Sequence, residues 1–224
     1  MKILNIVESY LSDKPADLAG IFIHRQSLKL LELGHDIRVI NPQPLICKKT
    51  FSPFYSFFSE KGGIKIYRPK FLYIPYLITP GKIYDEFYSN AVCRALNQFE
   101  SGWKPDLILC DWIVPGGDVS SQLSNKLGVP LIIRARGGDV RWIAKTVSKY
   151  RDYYQQIGSQ ANLIICNGYG LYKDLAELEI FDEGKLKVLT NGIDTKFFHS
   201  PNQHEIIISR NNLRIHDTAK VIII

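Results

Sequence analysis

Five short apolar runs of the sequence are each followed by residues that could bind a charged or hydroxyl-rich ligand. They are Gly20 and Ile21 after the first run, Asp111 at the end of the run at 107–112, Arg134, Arg136, Gly137, Gly138 and Asp139 in and after 131–136, Asn167 and Gly168 after 163–166, and Asn191, Gly192 and Asp194 after 187–189. An arginine offers a fixed fork of N–H donors that matches a carboxylate or a phosphate, and the free N–H groups at a helix start attract anions. Taken singly, such residues are more often turn formers or surface ion pairs, but five loops of the same character favour a ligand site.

Seven apolar, β-branched runs predict the strands that would position these loops. They lie at 3–7, 37–41, 64–67, 107–112, 131–136, 163–166 and 187–189. Their hydrophobicity is continuous rather than alternating, which is typical of strands buried on both faces. Helical stripes lie between most of them, at 21–31, 83–99, 119–127, 143–157 and 171–178. We therefore predict an α/β fold with a doubly wound, mostly parallel, Rossmann-like sheet whose strands end at one ligand-binding edge.

The composition is that of a globular chain rather than a membrane-spanning or disulfide-rich one. The 224 residues are 46% hydrophobic and 22% charged, which is enough for one well-buried domain. No apolar run approaches the roughly 20 residues of a transmembrane helix, and the first residues lack the features of a signal peptide. The four cysteines form no CxxC pair. We therefore expect a reduced, cytoplasmic location with neither a disulfide nor a metal site.

The charge pattern and the missing motifs narrow the choice of ligand. A net charge of +6 and a pI near 9.0 are compatible with an anionic partner. The lysines and arginines are dispersed, however, and no nucleic-acid-binding pattern accompanies them, so nucleic acid is not an expected partner. The turn after the first run lacks GxGxxG, and neither the Walker phosphate loop nor the GxSxG elbow occurs. Without these motifs, the sequence does not favour a dinucleotide-binding protein, a nucleoside-triphosphate-binding protein or an α/β-hydrolase.

The ordered segments of the chain resemble the N-terminal half of the family 4 glycosyltransferases, which have two facing Rossmann domains in the GT-B architecture. The resemblance is carried by AGIF and LELGHDIRVINP, then by KPDLILCDWIVPGG, KLGVPLIIRARGGDV and KLKVLTNGIDTKFF, of which TNGID is the most specific. It implies transfer of a sugar from a nucleotide-diphosphate sugar to a glycan or lipid-linked acceptor, as in polysaccharide biosynthesis. It further implies retention of the anomeric configuration, with no bound metal and no cofactor beyond the nucleotide-diphosphate sugar.

The resemblance also implies that the donor-binding half lies outside this chain. In the family, the N-terminal domain mainly holds the acceptor, while the C-terminal domain holds the nucleotide with two glutamates eight positions apart. No two glutamates of this chain have that spacing. We expect residues 1–195 to form the acceptor-side domain and 196–224 to be a linker and the first strand of a truncated second domain, so that this chain is inactive by itself. Two alternatives stay open: residues 206–208 and 221–224 pair as a hairpin on the same sheet, or the chain is a stand-alone sugar- or anion-binding module without catalysis.

The same resemblance assigns roles to the predicted site residues. Gly20 and Ile21 match the family's first loop, which approaches the transferred sugar and the donor phosphate. The segment from Arg136 to Asp139 matches a motif that more often reads His-Gly-Ser-Asp, so that arginine replaces a histidine that contacts the donor sugar and favours an ionic contact instead. Asp111 takes the place of a polar residue, and we expect it to accept a hydrogen bond from an acceptor hydroxyl. The interdomain hinge is matched by Asn191, Gly192 and Asp194.

An aromatic-rich region at 51–88 is particular to this sequence. Twelve aromatic residues lie between Phe51 and Tyr88 and are interleaved with lysines and arginines. Such a mixture suits carbohydrate stacking or the interface of a membrane that carries a lipid-linked acceptor. The alternative is that these side chains pack under a long loop. We therefore predict that this region makes a peripheral contact with the inner face of the membrane. Packing of the aromatic side chains under a long loop stays open as the alternative.

Overall fold

The computed structural model describes residues 1–14, 18–45, 56–72, 83–216 and 218–222, and it contains every strand that the apolar runs predict. The elements in chain order are β1 (Lys2–Val7), α1 (Ile21–Glu32), β2 (Asp36–Ile40), β3 (Gln43–Pro44), β4 (Phe58–Lys61), β5 (Ile64–Tyr67), β6 (Lys70–Phe71), α2 (Ile83–Leu96), β7 (Leu107–Asp111), α3 (Gly116–Leu127), β8 (Leu131–Ala135), α4 (Gly138–Gln160), β9 (Leu163–Cys166), α5 (Tyr169–Ala176), a 3-10 turn (Glu183–Lys185), β10 (Leu186–Val188) and α6 (Gln203–Asn212).

The described strands form an eight-stranded sheet in the order β10-β9-β8-β7-β1-β2-β5-β4, beside a short β3–β6 pair. All neighbours in the large sheet are parallel except β4 and β5. The predicted doubly wound, mostly parallel α/β fold is therefore confirmed. Val7 pairs with Asp111, and Asp111 pairs with Arg134, so that β1, β7 and β8 reach their carboxyl ends at nearly the same level.

Helices cover both faces of the sheet. One buried apolar cluster joins the strands to α2, α3, α4 and α5, and a second joins them to α1. Alternate residues of each strand point to opposite faces. Cys110 and Ile133 therefore belong to the first cluster, whereas Asp111 and Arg134, one residue later on each strand, lie on the α1 side. A buried polar row thus begins where the apolar strands end.

The β4–β5 hairpin is the main element that the sequence patterns did not predict. Its turn is formed by Gly62 and Gly63, both with positive φ, a backbone conformation that two-residue hairpin turns require. In the aromatic-rich region, Tyr67, Phe71 and Tyr88 are buried, as the packing alternative expects, whereas residues 46–55 and 73–82 lie outside the described residues. The membrane contact of this region stays a prediction.

The chain divides into two compact units, 1–191 and 192–224. In the second unit, Asn202 accepts a hydrogen bond from the N–H of Glu205 while the Glu205 side chain accepts from the N–H of Asn202, which is the capping box that starts α6. Residues 206–208 lie inside this helix, so the alternative of a hairpin with 221–224 is wrong. Residues 218–222 form no strand. Within the described parts of the chain, no helix has the length and apolar character of a membrane span.

Candidate functional site

The carboxylate of Asp111 is the centre of the candidate site. One of its oxygens, Oδ1, accepts hydrogen bonds from Nε and Nη2 of Arg136 at 2.8 and 2.5 Å, and Oδ2 is ion-paired with Nη2 of Arg134. When the amide of Asn5 is oriented with its nitrogen towards this oxygen, it donates to Oδ2 at 3.1 Å and to the Leu109 carbonyl at 3.3 Å. Both oxygens are therefore saturated, and Asp111 is fully buried.

Arg134 lies deeper in this network than Arg136. Its side chain is 5% exposed, and its Nε and Nη1 atoms meet no acceptor among the described residues. Burial lowers the pKa of Arg134; Asp111 opposes that effect and Arg136 adds to it. Buried donors without partners cost folding free energy. The ion pair with Asp111 opposes that cost and stabilises the Arg134 guanidinium in the folded protein.

Arg136 faces outward and joins the network to the last residue of the first unit. Its side chain is 10% exposed, and its Nη1 donates to Oδ1 of Asn191 at 3.1 Å. Asp111 therefore fixes the guanidinium from one side, while Asn191 is exposed and can be displaced by a stronger acceptor. This arrangement gives the site one oriented cation that a ligand can reach.

Asp139 has a structural role at the start of α4. Its Oδ1 accepts from the main-chain N–H groups of Arg136 at 3.0 Å and Gly137 at 2.9 Å, and its Oδ2 accepts from the N–H of Ile113 at 2.8 Å. Burial raises the pKa of Asp139, and the main-chain N–H groups of Ile113, Arg136, Val140 and Gly137 oppose the rise. The carboxylate thereby ties the loop after β8 to the loop after β7.

Trp112 follows Asp111 with a φ of 80°, a left-handed conformation that a bulky residue rarely adopts. Its N–H donates to the Arg134 carbonyl at 2.9 Å, and its own carbonyl accepts from the Cys110 thiol at 3.2 Å. The indole is half-buried and packs against the apolar cluster under α1. Trp112 lies with Asp111 at the end of the apolar run at 107–112, so the sequence places it at the predicted edge, but no binding role was assigned to it.

The glycine-containing first loop packs closely on the chain after β1. Gly20 has a φ of 71° and is the N-cap of α1, whose first residue is Ile21. A Cβ at Gly20 would lie 2.6 Å from the Ser9 carbonyl oxygen and 2.7 Å from the Tyr10 Cα. Tyr10 is buried, and its hydroxyl lies 2.9 Å from Nδ1 of His24. Burial raises the pKa of the Tyr10 hydroxyl, and the hydrogen bond with Ser27 and the charge of Arg68 oppose that rise.

The β4–β5 hairpin holds the first loop from the other side. Nη2 of Arg68, a fully buried side chain, donates to the Leu11 carbonyl at 2.6 Å, and its Nη1 donates to Ser59 at 2.6 Å. Lys61 bonds to the Ser12 carbonyl, and Ser56 donates to Asp13 at 3.0 Å. The hairpin therefore fixes the path of the loop that approaches the edge.

The remaining predicted residues are dispersed. Gly137 and Gly138 lie at the start of α4, and Asn167 and Gly168 follow β9 before α5. In the second unit, Oδ1 of Asp194 accepts from the Lys196 N–H at 3.0 Å and shapes a turn, while Gly192 is exposed. The structure thus joins Asp111, Arg134, Arg136 and Asn191 by direct contacts.

A doubly wound α/β domain with polar residues at the carboxyl edge of its sheet is the Rossmann-like domain of the GT-B fold. The sequence pattern named Glycosyltransferase Family 4 matches residues 19–197. This chain belongs to that family, as an N-terminal domain of the GT-B type. The predicted family membership is therefore confirmed.

The chain is also similar to individual proteins. TuaC of Bacillus subtilis (strain 168), assigned to teichuronic acid biosynthesis as a glycosyltransferase, is 28% identical over 202 residues, and the match covers 84% of this chain and 49% of TuaC. Anabaena HepE, solved with UDP and glucose, has a TM-score of 0.56 at 15% identity, covering 95% of this chain and 50% of HepE. The calicheamicin glycosyltransferase CalG4 has a TM-score of 0.51 at 13% identity, covering 90% of this chain and 55% of CalG4. The two structures show the shared fold, and the chain spans about half the length of the proteins it matches.

Proposed function

We propose that this chain is the acceptor-side domain of a retaining glycosyltransferase that transfers a sugar from a nucleotide-diphosphate sugar to a glycan or lipid-linked acceptor. The observation that carries the proposal is the Asp111–Arg134–Arg136 network at the carboxyl edge of a family 4 domain. HepE was solved with UDP and glucose, and TuaC is assigned to teichuronic acid biosynthesis, which supports a nucleotide sugar and a glycan as the two substrates.

Within this proposal, the chain orients the acceptor, and a second domain stabilises the departing nucleoside diphosphate. Departure of a nucleoside diphosphate needs fixed positive groups or N–H donors beside the phosphates, and such stabilisation is a large part of catalysis. The described residues place two arginines at the edge, but both are held by Asp111. We therefore expect the chain alone to bind acceptor and to lack turnover.

Arg136 is the residue that we expect to meet the substrate first. Arginine stays protonated at neutral pH and offers a planar fork for an oxyanion, and Asp111 and Asn191 leave part of its Nη edge open. We expect Gly20, Ile21, Gly137 and Gly138 to line the approach to Arg136 with their main chain, while Asp139 holds the loop after β8 in place by accepting from the Gly137 N–H.

Calorimetry with the 224-residue chain tests this division of labour. We expect a sugar phosphate to bind with an affinity that Arg136→Ala lowers at least about tenfold, because a charge-assisted hydrogen bond contributes roughly 1.5–3 kcal/mol. Lys173→Ala is the matched control, since Lys173 is an exposed cation on α5. Rapid nucleotide-sugar turnover by the chain alone, or equal affinity for both variants, would contradict the proposal.

A second candidate function is a stand-alone sugar- or anion-binding module, because the whole arginine network lies within the first unit. The two candidates differ downstream of Ile224. A reading frame that continues into a second βα domain with the glutamate pair supports the transferase, and a stop codon directly after it supports the module.

A lipid-linked acceptor lies in a membrane. We therefore propose that the protein is located in the cytoplasm, at the inner face of the membrane. Phe57 and Phe58 are 44% and 46% exposed at the β4–β5 hairpin, where aromatic side chains could enter the lipid interface. In a sedimentation assay with anionic vesicles, less protein should therefore sediment with the vesicles when Phe57 and Phe58 are both changed to serine. Unchanged sedimentation would contradict a membrane contact through these two residues.

A further inference from the structure

Hydrogen bonds within the candidate site hold the backbone of Trp112 in its strained conformation. The left-handed φ of 80° is imposed by hydrogen bonds on both sides: the Trp112 N–H donates to Arg134, and the next N–H, that of Ile113, donates to Oδ2 of Asp139. Backbone strain of this kind persists only where the surroundings over-determine it, and it concentrates at ligand sites. A glycine or asparagine would adopt the same φ with less strain, so backbone geometry alone does not explain a tryptophan here.

The indole lies between the two halves of the carboxyl edge. On one side it packs against the apolar cluster under α1, against which Ile21 at the start of that helix also packs. On the other side its Nε1 is close to the start of α4, since a Cβ on Gly138 would lie 3.9 Å away. The side chain is half-buried, and its Nε1–H donates to no acceptor among the described residues. Trp112 therefore presents, beside Asp111, an aromatic ring and an N–H donor to which no described residue supplies an acceptor.

We infer that Trp112 is a stacking platform for a pyranose ring of the acceptor, with its indole N–H donating to a ring hydroxyl. This inference rests on the proposed function, which places a sugar at this edge. A sugar has an apolar C–H face and polar edges, so it is bound well by an aromatic ring next to hydrogen-bonding groups. Arg136 and Trp112 both lie around Asp111, and together they supply an oriented cation and a flat apolar surface.

The indole N–H resonances provide a direct test in the 224-residue chain. The sequence has three tryptophans, so a ¹⁵N-labelled sample gives three indole cross-peaks, which Trp→Phe variants assign. Glucose, glucuronate and glucose 1-phosphate are titrated as a neutral sugar, a sugar carboxylate and a sugar phosphate. We expect the Trp112 cross-peak to shift with the sugars that bind, while those of Trp103 and Trp142 stay in place.

The variants Trp112→Gly and Trp112→Phe separate stacking from packing. Glycine relieves the left-handed backbone and removes the ring, so we expect a folded protein with roughly tenfold weaker sugar binding. Phenylalanine keeps a ring without the N–H and should retain most of the affinity. Trp103→Phe is the control, because that indole donates to Asp36 at 2.6 Å, away from the edge.

The outcomes separate this inference from the proposed function. If a sugar phosphate shifts the amide signals of Arg136 but not the Trp112 indole, and Trp112→Gly binds it equally well, the stacking inference is overturned while the acceptor site stands. If none of the three sugars shifts any signal from residues 107–140, both are overturned. A large loss of thermal stability in Trp112→Gly with unchanged sugar affinity per folded molecule shows packing alone and also overturns the inference.

Discussion

Replacing Asp111 by asparagine should destabilise the protein more than any single surface change, because it leaves the buried Arg134 and the partly buried Arg136 without their shared counter-charge. The substitution keeps the size of the side chain but removes its charge, so one amide oxygen replaces a carboxylate that Arg134 and Arg136 share. The arginine side chains are 5% and 10% exposed, and water cannot take over most of the lost interaction.

The expected magnitude follows from that burial. Removing one partner of a buried ion pair costs about 3–5 kcal/mol, which is a large part of the roughly 5–15 kcal/mol by which most proteins are stable. For a chain of this size, 1 kcal/mol corresponds to about 2–4 °C in melting temperature. We therefore expect Asp111→Asn to melt roughly 6–20 °C below the parent protein.

Urea denaturation followed by circular dichroism measures the free energy of unfolding directly. Glu177→Gln is the matched control, since Glu177 is 65% exposed and its pair with Lys173 is 3.8 Å long; such a surface pair contributes about 0–1 kcal/mol. Adding Arg134→Met to Asp111→Asn should recover part of the loss, because it removes one of the two uncompensated charges. A loss below about 1 kcal/mol for Asp111→Asn would refute the view that the network is buried and mutually dependent.

Three further predictions concern the first loop and the titratable groups. Gly20→Ala should destabilise the protein by at least about 1 kcal/mol more than Gly34→Ala in the same denaturation assay, because both sites have positive φ but only Gly20 has main-chain atoms within 3 Å of the new Cβ; equal losses would exclude the close approach. Iodoacetamide should label Cys93, which is exposed, and spare Cys110 until the protein unfolds, since burial raises the pKa of the Cys110 thiol to about 12; mass spectrometry of the peptides decides. Burial, together with nearby positive charge, lowers the pKa of His24 below 6.5, so the unfolded chain gains a proton that the folded chain does not, and stability should fall as the pH drops below 6.5. His24→Gln should flatten the dependence of melting temperature on pH in that range, and an unchanged slope would contradict the assignment.

The strands of the central sheet could be predicted because burial on both faces leaves a plain apolar signature in the sequence. The hairpin at β4–β5 was harder, since β4 reads FSEK and has an exposed edge, and only Gly62–Gly63 marked its turn. The order of the strands could not be derived, because it depends on contacts between residues far apart in the chain. The capping box at Asn202 and Glu205 was present in the sequence and would have indicated α6.

The candidate site was predicted as a set of loops rather than as a network. Arg134, Arg136 and Asp111 were expected at one edge because parallel strands end together, and the structure adds that one carboxylate holds both arginines. The prediction could not separate Asp139, whose oxygens are occupied by main-chain N–H groups, from residues free to bind a ligand. Asn5 was missed, although a polar residue inside the apolar run ILNIV was a visible signal.

The polar row across β1, β7 and β8 also constrains how these strands can assemble. Asn5, Asp111 and Arg134 meet only in the observed register, and a slip of one residue would turn one of them towards the apolar cluster on the opposite face. An unpaired charge there is far more costly than a mispacked isoleucine. The residues of the candidate site thus also fix the register in which β1, β7 and β8 pair.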